Sequence, residues 1–323
     1  MINPGYACIN MTLAKQKIST NRGMIRRTFL SKGPDYAADI ALSNVQSLQK
    51  IVEWNVKNDI SVYRMSSCLF PWMSEYEISD LYNFQAIADC LAQVGSFATT
   101  HGQRLSFHPG QFCVLGSPRS DVVDKTIKEL DKHAEIMDLM GLPATPLAKI
   151  NIHLGGAYGE HDVAMDRFCK NFDRLGEPTK QRLTVENDDK PGMFSTKMLY
   201  DGVYKNIGIP IVFDSHHFAL GPQDQDYKSA FYLARSTWGD TKQICHHSNS
   251  RKKYDDPKAR AVAHSDYIHE PFVHFGEDVD VVLEAKKKEL SVIYYNNFVV
   301  DGRHTENPAW QAKNLNNSEA SLV

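Results

Sequence analysis

Six segments spread along the chain end in residues that bind metals or move protons. They read Phe107-His108-Pro109-Gly110, Ile152-His153-Leu154-Gly155, Val185-Glu186-Asn187-Asp188, Phe213-Asp214-Ser215-His216-His217, Cys245-His246-His247 and Leu283-Glu284. Imidazole together with carboxylate is the donor set of divalent first-row ions, and the lack of cysteine among the candidate ligands disfavours a structural zinc site. Five or more such ligands exceed the need of one tetrahedral ion, which implies several ions held together. Paired ions suit in-line phosphoryl displacement, because they activate water and neutralise the attacking and leaving oxygens. Glu186, central in the series, is the natural bridging carboxylate. A lone histidine is more often a satisfied core residue; six consecutive apolar runs closing on His, Glu or Asp are hard to read that way.

Ligands this far apart meet only if a fold gathers them. Short β-branched and apolar runs at Gly5–Met11, Ser61–Ser66, Leu105–Pro109, Lys149–Leu154, Arg182–Glu186, Ile209–Asp214, Gln243–His247 and Val279–Glu284 predict eight strands. Between them Asn44–Val56, Tyr82–Thr100, Asp121–Met140, Val163–Leu175, Ser195–Tyr204 and Gln225–Ala234 have helical periodicity. This alternation predicts parallel βαβ units. Eight of them in a chain of 323 residues fit an α/β fold of the TIM (β/α)8 barrel type as a single domain over residues 1–305, with a C-terminal tail at 306–323. In a barrel the carboxyl ends of all strands lie on one face, which makes one site of the six segments. A doubly wound sheet has the same periodicity and stays open as the alternative. Asn249–Asp278 is the longest irregular insertion, and loops of that length in a compact domain are more often functional than idle.

Composition narrows the class. With 42% hydrophobic and 10% aromatic residues the chain can bury a large core. Six scattered cysteines without a C-x-x-C pair argue against a disulfide framework. No apolar leader core or membrane-length stretch stands in the sequence, so a cytoplasmic protein is expected. The formal charge of −3 gives no global mark of nucleic-acid binding, so any such affinity is local, at Lys15–Arg27, Arg251-Lys252-Lys253 or Lys286-Lys287-Lys288, although such a run alone is more often a solvated face than a binding patch. After the third strand, the Pro109-Gly110 turn projects Gln111 and Phe112 from the barrel mouth, an amide and a ring suited to wedging into a base stack. The alternative packs Phe112 beneath its loop and uses Gln111 as a helix cap. Tyr6 and Asn10 on the first strand are placed to bond or stack against a displaced nucleotide.

These residues, taken in order, resemble the ultraviolet damage endonucleases. The likeness rests on Gly5-Tyr6 with Asn10, Tyr63-Arg64-Met65-Ser66-Ser67 with Phe70-Pro71, Phe107-His108-Pro109-Gly110-Gln111, Asn151-Ile152-His153-Leu154-Gly155-Gly156, Glu186-Asn187-Asp188, Phe213-Asp214 with His216-His217, His264-Ser265-Asp266-Tyr267 and Leu283-Glu284-Ala285-Lys286. It implies a barrel similar to endonuclease IV, up to three divalent ions with Mn(2+) the usual choice (Mg, Co or Zn as alternatives), and nicking of damaged double-stranded DNA immediately 5′ of cyclobutane pyrimidine dimers and 6-4 photoproducts, with abasic sites as further substrates. By motif, His108, His153 and Glu186 resemble ligands of a first metal; Glu186, Asp214, His246 and Glu284 those of a second; His217 and His264 those of a third. Glu186 and His246 take the catalytic assignment, and Tyr6, Asn10, Arg64, Gln111 and Phe112 the DNA or lesion contacts of a monomer. The chain also departs from the family. Many members carry a modified lysine two residues before the strand-seven histidine, where Ile244 stands here, and His247 competes with His246 for that place. The N-terminal extension of fungal members is absent, which suggests a bacterial or phage-type enzyme. Two other readings accompany this one: a sugar isomerase or epimerase, which also presents His, Glu and Asp at strand ends around divalent ions, and a damaged-DNA binder that does not cut.

Overall fold

The computed structural model describes residues 1–300; the expected tail lies outside the described residues. Its strands are β1 (Ile2–Ala7), β2 (Val62–Arg64), β3 (Arg104–Ser106), β4 (Ile150–His153), β5 (Leu183–Glu186), β6 (Ile211–Val212), β7 (Ile244–His247) and β8 (Val279–Leu283). Five pair in the order β3-β2-β1-β8-β7 and three in the order β4-β5-β6, all in parallel. Two parallel bridges, Phe107 to Ile150 and Asp214 to His246, join the two arcs. The Phe107 N–H donates to Lys149 O at 2.9 Å and the His246 N–H to Phe213 O at 3.0 Å. The strands thus follow one another around a closed ring, and the open doubly wound order is excluded.

Helices clothe the ring: α1 (Met11–Ala14), α2 (Arg26–Lys57), α3 (Phe84–Thr100), α4 (Ser120–Leu139), α5 (His161–Phe172), α6 (Glu177–Arg182), α7 (Thr196–Leu199), α8 (Lys205–Ile207), α9 (Ser215–Leu220), α10 (Tyr227–Ser236), α11 (Arg251–Tyr254) and α12 (Lys288–Tyr294). In α4 the buried positions Val123, Thr126, Leu130, Ala134 and Met137 recur at three- and four-residue steps, forming the apolar stripe that a helix lays on a sheet. The span of α2 is broken at Gly33, whose φ of +72° suits a residue without Cβ, and Pro34 opens the second part, where its missing N–H costs nothing. None of the described helices is long and apolar enough to cross a membrane.

The interior is recognisable because side chains meet across it from strands that are not neighbours. At the amino-terminal end, Arg104 of β3 reaches Asp280 of β8 at 3.0 Å and donates to the carbonyls of Leu147, Pro146 and Lys242 at 2.8–2.9 Å. This guanidinium, with four of its five N–H donors bonded, closes the floor, and a buried charge so paired and bonded avoids the penalty of isolation. Val62, Val212, Ile244 and Val282 form an apolar cluster between the floor and the rim. The rim is polar.

The first strand departs from expectation. It runs Ile2–Ala7 rather than Gly5–Met11; Cys8 turns into the left-handed region with φ 68°, and the Asn10 side chain accepts the Leu13 N–H at 2.9 Å to cap α1. A local cap therefore overrides strand periodicity there. Asn249–Asp278 is also more ordered than expected. An antiparallel bridge pairs Ser250 with His264, and Ser265 N–H donates to Asn249 O at 2.8 Å.

Gly5 leaves no room for a side chain between β1 and β2, since a Cβ on it would lie 2.0 Å from Val62 O. Gly5→Ala is expected to destabilise the barrel by about 1–3 kcal/mol, the usual cost of overpacking, seen as a lower urea midpoint. An unchanged midpoint would mean that β2 moves aside freely.

Candidate metal centre

The rim is built around one carboxylate. Glu186, at the end of β5 and 1% exposed, faces His108 Nε2 at 3.1 Å through Oε2, and His246 Nδ1 at 3.1 Å and His217 Nδ1 at 3.3 Å through Oε1. His246 Nδ1 also lies 3.4 Å from Glu284 Oε1. Three trios have donor atoms close enough to share an ion: His108 with Glu186 and His246, His153 with Glu186 and His217, and Asp214 with His246 and Glu284. Neighbouring ligands that each stand about 2.0–2.2 Å from one ion are roughly 3.0–3.5 Å apart, the spacing found around Glu186. Asp214 adds an independent sign. Its Oδ1 caps α9, accepting the His216 and His217 N–H groups at 2.7 and 2.8 Å, while its buried Oδ2 has no hydrogen-bond partner. A buried acceptor left bare is costly, and a cation would satisfy it. The donor set therefore fits divalent ions.

The electrostatics agree. Burial alone would raise the Glu186 carboxyl, but His246, His153, His108 and His217 hold it well below the usual carboxylate range. Burial likewise works to raise Glu284, and Arg64, His246 and His264 bring it well down. Burial pushes His108 down to about 4 against the pull of Glu186, and it also lowers His246. His217 moves the other way, because Asp214 and Glu186 outweigh its burial. The result is ionised Glu186 and Glu284 beside His108 and His246 shifted toward the neutral form that ligands need, while the neighbouring carboxylates shift His217 and His153 toward protonation, so an ion would displace protons there.

Outer partners aim the rings. His108 Nδ1 faces Pro109 O at 3.1 Å, and His153 Nδ1 lies 3.0 Å from Asp188 Oδ1. Asn151 donates to Glu186 Oε2 and accepts from the Thr184 hydroxyl at 2.8 Å. Asn187 exchanges two bonds with the Asp214 backbone, at 3.0 and 2.9 Å. Lys149 Nζ stands 3.2 Å from His246 Nε2, and burial pushes its amine down to about 7. The sequence reading missed Asn151, Thr184 and Lys149. The first two had a signal, since each lies two residues before a strand-end ligand and so shares its face, and a polar residue is unexpected inside a barrel.

Several expected residues are placed differently. His246 faces the cluster, whereas His247, on the opposite side of β7, spends Nδ1 on the Ser215 hydroxyl at 2.6 Å and Nε2 on Glu270 O at 3.0 Å. His217 joins Glu186 and His153, while His264 meets Glu284 Oε2 at 3.6 Å and the His216 ring at 5.7 Å, outside all three trios. Tyr6 and Asn10 do not reach the mouth: Tyr6 points outward, its hydroxyl donates to Asn55 Oδ1 of α2 at 2.8 Å, and the Asn10 amide donates to that hydroxyl at 3.0 Å. Both are buried, Tyr6 because its position alternates with the inward Gly5 and Asn10 because it caps α1 beneath that hydroxyl. Arg64 turns inward to bind Glu284 instead of pointing at solvent. Among the basic segments, Arg22 is folded onto backbone carbonyls, and Arg251 and Lys253 pair with Asp266 and Glu270. Gln111 and Phe112 are exposed, Phe112 to 82%. The Cys113 N–H on Gly110 O at 2.9 Å closes a four-residue turn that leaves these two residues at its corners; the packed and capping alternatives do not occur.

Residues 2–301 match the family described as UV-endonuclease UvdE. A UV DNA damage endonuclease of Clostridium perfringens is 30% identical, over 99% of this chain and 76% of that protein. The crystal structure of SacUVDE superposes with a TM-score of 0.80 at 30% identity, covering 91% of this chain and 96% of that one. Endonuclease IV from Thermus thermophilus, with a TM-score of 0.52 at 14% identity over 77% of this chain and 93% of its own, shares the barrel fold. The closed parallel barrel, the rim of histidines and carboxylates and these matches lead to one conclusion: the chain belongs to the UvdE family of UV endonucleases.

Proposed function

We propose that the chain is a divalent-metal-dependent endonuclease that cuts the DNA backbone immediately 5′ of cyclobutane pyrimidine dimers and 6-4 photoproducts, and also acts at abasic sites. The observation that carries this reading is the sharing of Glu186 among His108, His217 and His246 at the same rim from which Gln111 and Phe112 project. His108, His153, Glu186, Asp214, His217, His246 and Glu284 would hold the ions, up to three with His264 included, and manganese suits a site of imidazole and carboxylate without thiolate. When bound, such ions supply water activation at neutral pH and charge neutralisation at the attacking and leaving oxygens of an in-line displacement.

The protein's own part is positioning. Asp188 and Pro109 O fix the rings of His153 and His108, and Asn151 with Thr184 fixes Glu186, so the ligands need little rearrangement. A cavity of about 340 Å³ lined by Arg64, His264, Glu284, Lys286 and Lys288 opens beside the cluster, and its cationic side suits a phosphate. Phe112 and Gln111 enter the gap that opens when damaged bases leave the stack. Lesions that have already lost stacking make this exchange less costly, which gives selectivity without base readout. An exposed ring at a rigid turn has no comparable use in a sugar epimerase, and this weighs against that reading.

With manganese and a duplex carrying one defined pyrimidine dimer, Glu186→Gln is expected to slow nicking by more than about a hundredfold, beyond the usual effect of losing an outer-shell partner. Nicking at the wild-type rate would remove Glu186 from the centre of the scheme, and binding without cutting by the wild type under any divalent ion would favour the non-cleaving binder. Phe112→Ala is expected to weaken binding to the lesion duplex by roughly 5- to 150-fold, since base–aromatic stacking is worth about 1–3 kcal/mol, while binding to undamaged duplex changes little. Equal losses on both duplexes would assign Phe112 to general contact rather than lesion probing.

A further inference from the structure

We infer that Lys149 is a positioning residue for the metal centre: from the opposite side of the barrel it fixes the ring of His246 so that Nδ1 faces Glu186 and Glu284. The inference rests on the reading that this cluster holds divalent ions. Lys149 immediately precedes β4, and His246 lies on β7, with β5 and β6 between them in the ring. The contact of Nζ with Nε2 at 3.2 Å therefore spans the barrel interior. Lys149 is fully buried, and among the described residues no carboxylate lies within 4.0 Å of its amine. A buried amine without an ion partner costs stability that an apolar side chain of similar length would not. Its hydrogen-bond partner is His246.

The geometry gives the amine a specific task. An imidazole can turn about its Cβ–Cγ bond and exchange the places of its two nitrogens, and the partner of one nitrogen decides what the other presents. β7 offers no polar group beneath this ring, since the residue two positions earlier on the same face is Ile244, packed with Val62, Val212 and Val282. Floor and apolar layer thus leave the ring orientation undecided, and Lys149 decides it: with Nε2–H donating to the amine nitrogen, Nδ1 keeps the lone pair that an ion takes. At the rim, Nδ1 then stands 3.1 Å from Glu186 Oε1 and 3.4 Å from Glu284 Oε1, where it belongs to two of the three trios.

The test is Lys149→Met in the full chain, with Mn(2+) and Co(2+) titrated by calorimetry and Co(2+) coordination read from its visible absorption. The metal-free variant is expected to unfold at or above the wild-type temperature, because a buried amine has been replaced by an apolar chain. Its affinity for the ions is expected to fall by about 10–100-fold, the range for outer-shell partners, with an altered Co(2+) spectrum. On lesion duplex, kcat should fall while KM stays near the wild-type value. In a His246→Ala background, Lys149→Met should cost no further affinity, as expected for a group acting through that ring. Lys149→Gln, one bond too short to reach, should reproduce the loss if the methionine variant folds poorly. Unchanged affinity and spectrum in both variants, or equal losses with and without His246, would overturn the role of Lys149. A wild-type protein that takes up no divalent ion would instead overturn the metal-centre reading itself.

Discussion

A single buried carboxylate organises the rim. Glu186 sits where low polarity magnifies every charge, and imidazoles from four other segments hold it ionised, three of them, His108, His217 and His246, with a ring nitrogen against its oxygens. Those three follow β3, belong to β7 or open α9 after β6, and they come within 3.1–3.3 Å of the same two oxygens. No open sheet would bring all of them to one point. Barrel closure is thus the condition for the site, and the two bridges that join the arcs flank it: one runs through Phe107, beside His108, and the other links Asp214 directly to His246.

The barrel divides its interior by height. The floor is a charge network around Arg104 and Asp280, the middle is an apolar plug, and the rim concentrates polar groups that a core would ordinarily exclude. The buried amine of Lys149 and the bare oxygen of Asp214 each reduce stability where they stand. The bonded floor and the packed middle offset that cost, which allows the rim to remain arranged for cations. The same rigidity reaches outward, because the turn carrying Gln111 and Phe112 starts two residues after His108 and is closed by its own hydrogen bond. On the proposed function, the group that probes the DNA and the first ligand of the metal centre therefore move as one piece. The bridge that returns His264 to the rim works similarly, placing a histidine from the long β7–β8 connection against Glu284 without a strand of its own.

The types of the ligands were legible because donor chemistry is a property of single residues, and the strands were legible because alternation and apolar runs are local. The identification of His108, His153, Glu186, Asp214, His246 and Glu284 as neighbours needed only the rule that parallel barrel strands end on one face. What local pattern left open was direction. Nothing in the string of letters states that Tyr6 faces α2, that Arg64 is bound to Glu284, or that His247 is spent on Ser215 and Glu270. Each follows from alternation about the inward Gly5 or from a partner more than twenty residues away. Closure, the choice of ring nitrogen, the contact of Lys149 with His246 and the exposure of Phe112 were decided by tertiary structure alone, since they depend on which distant groups arrive alongside and on how tightly the strands between them pack.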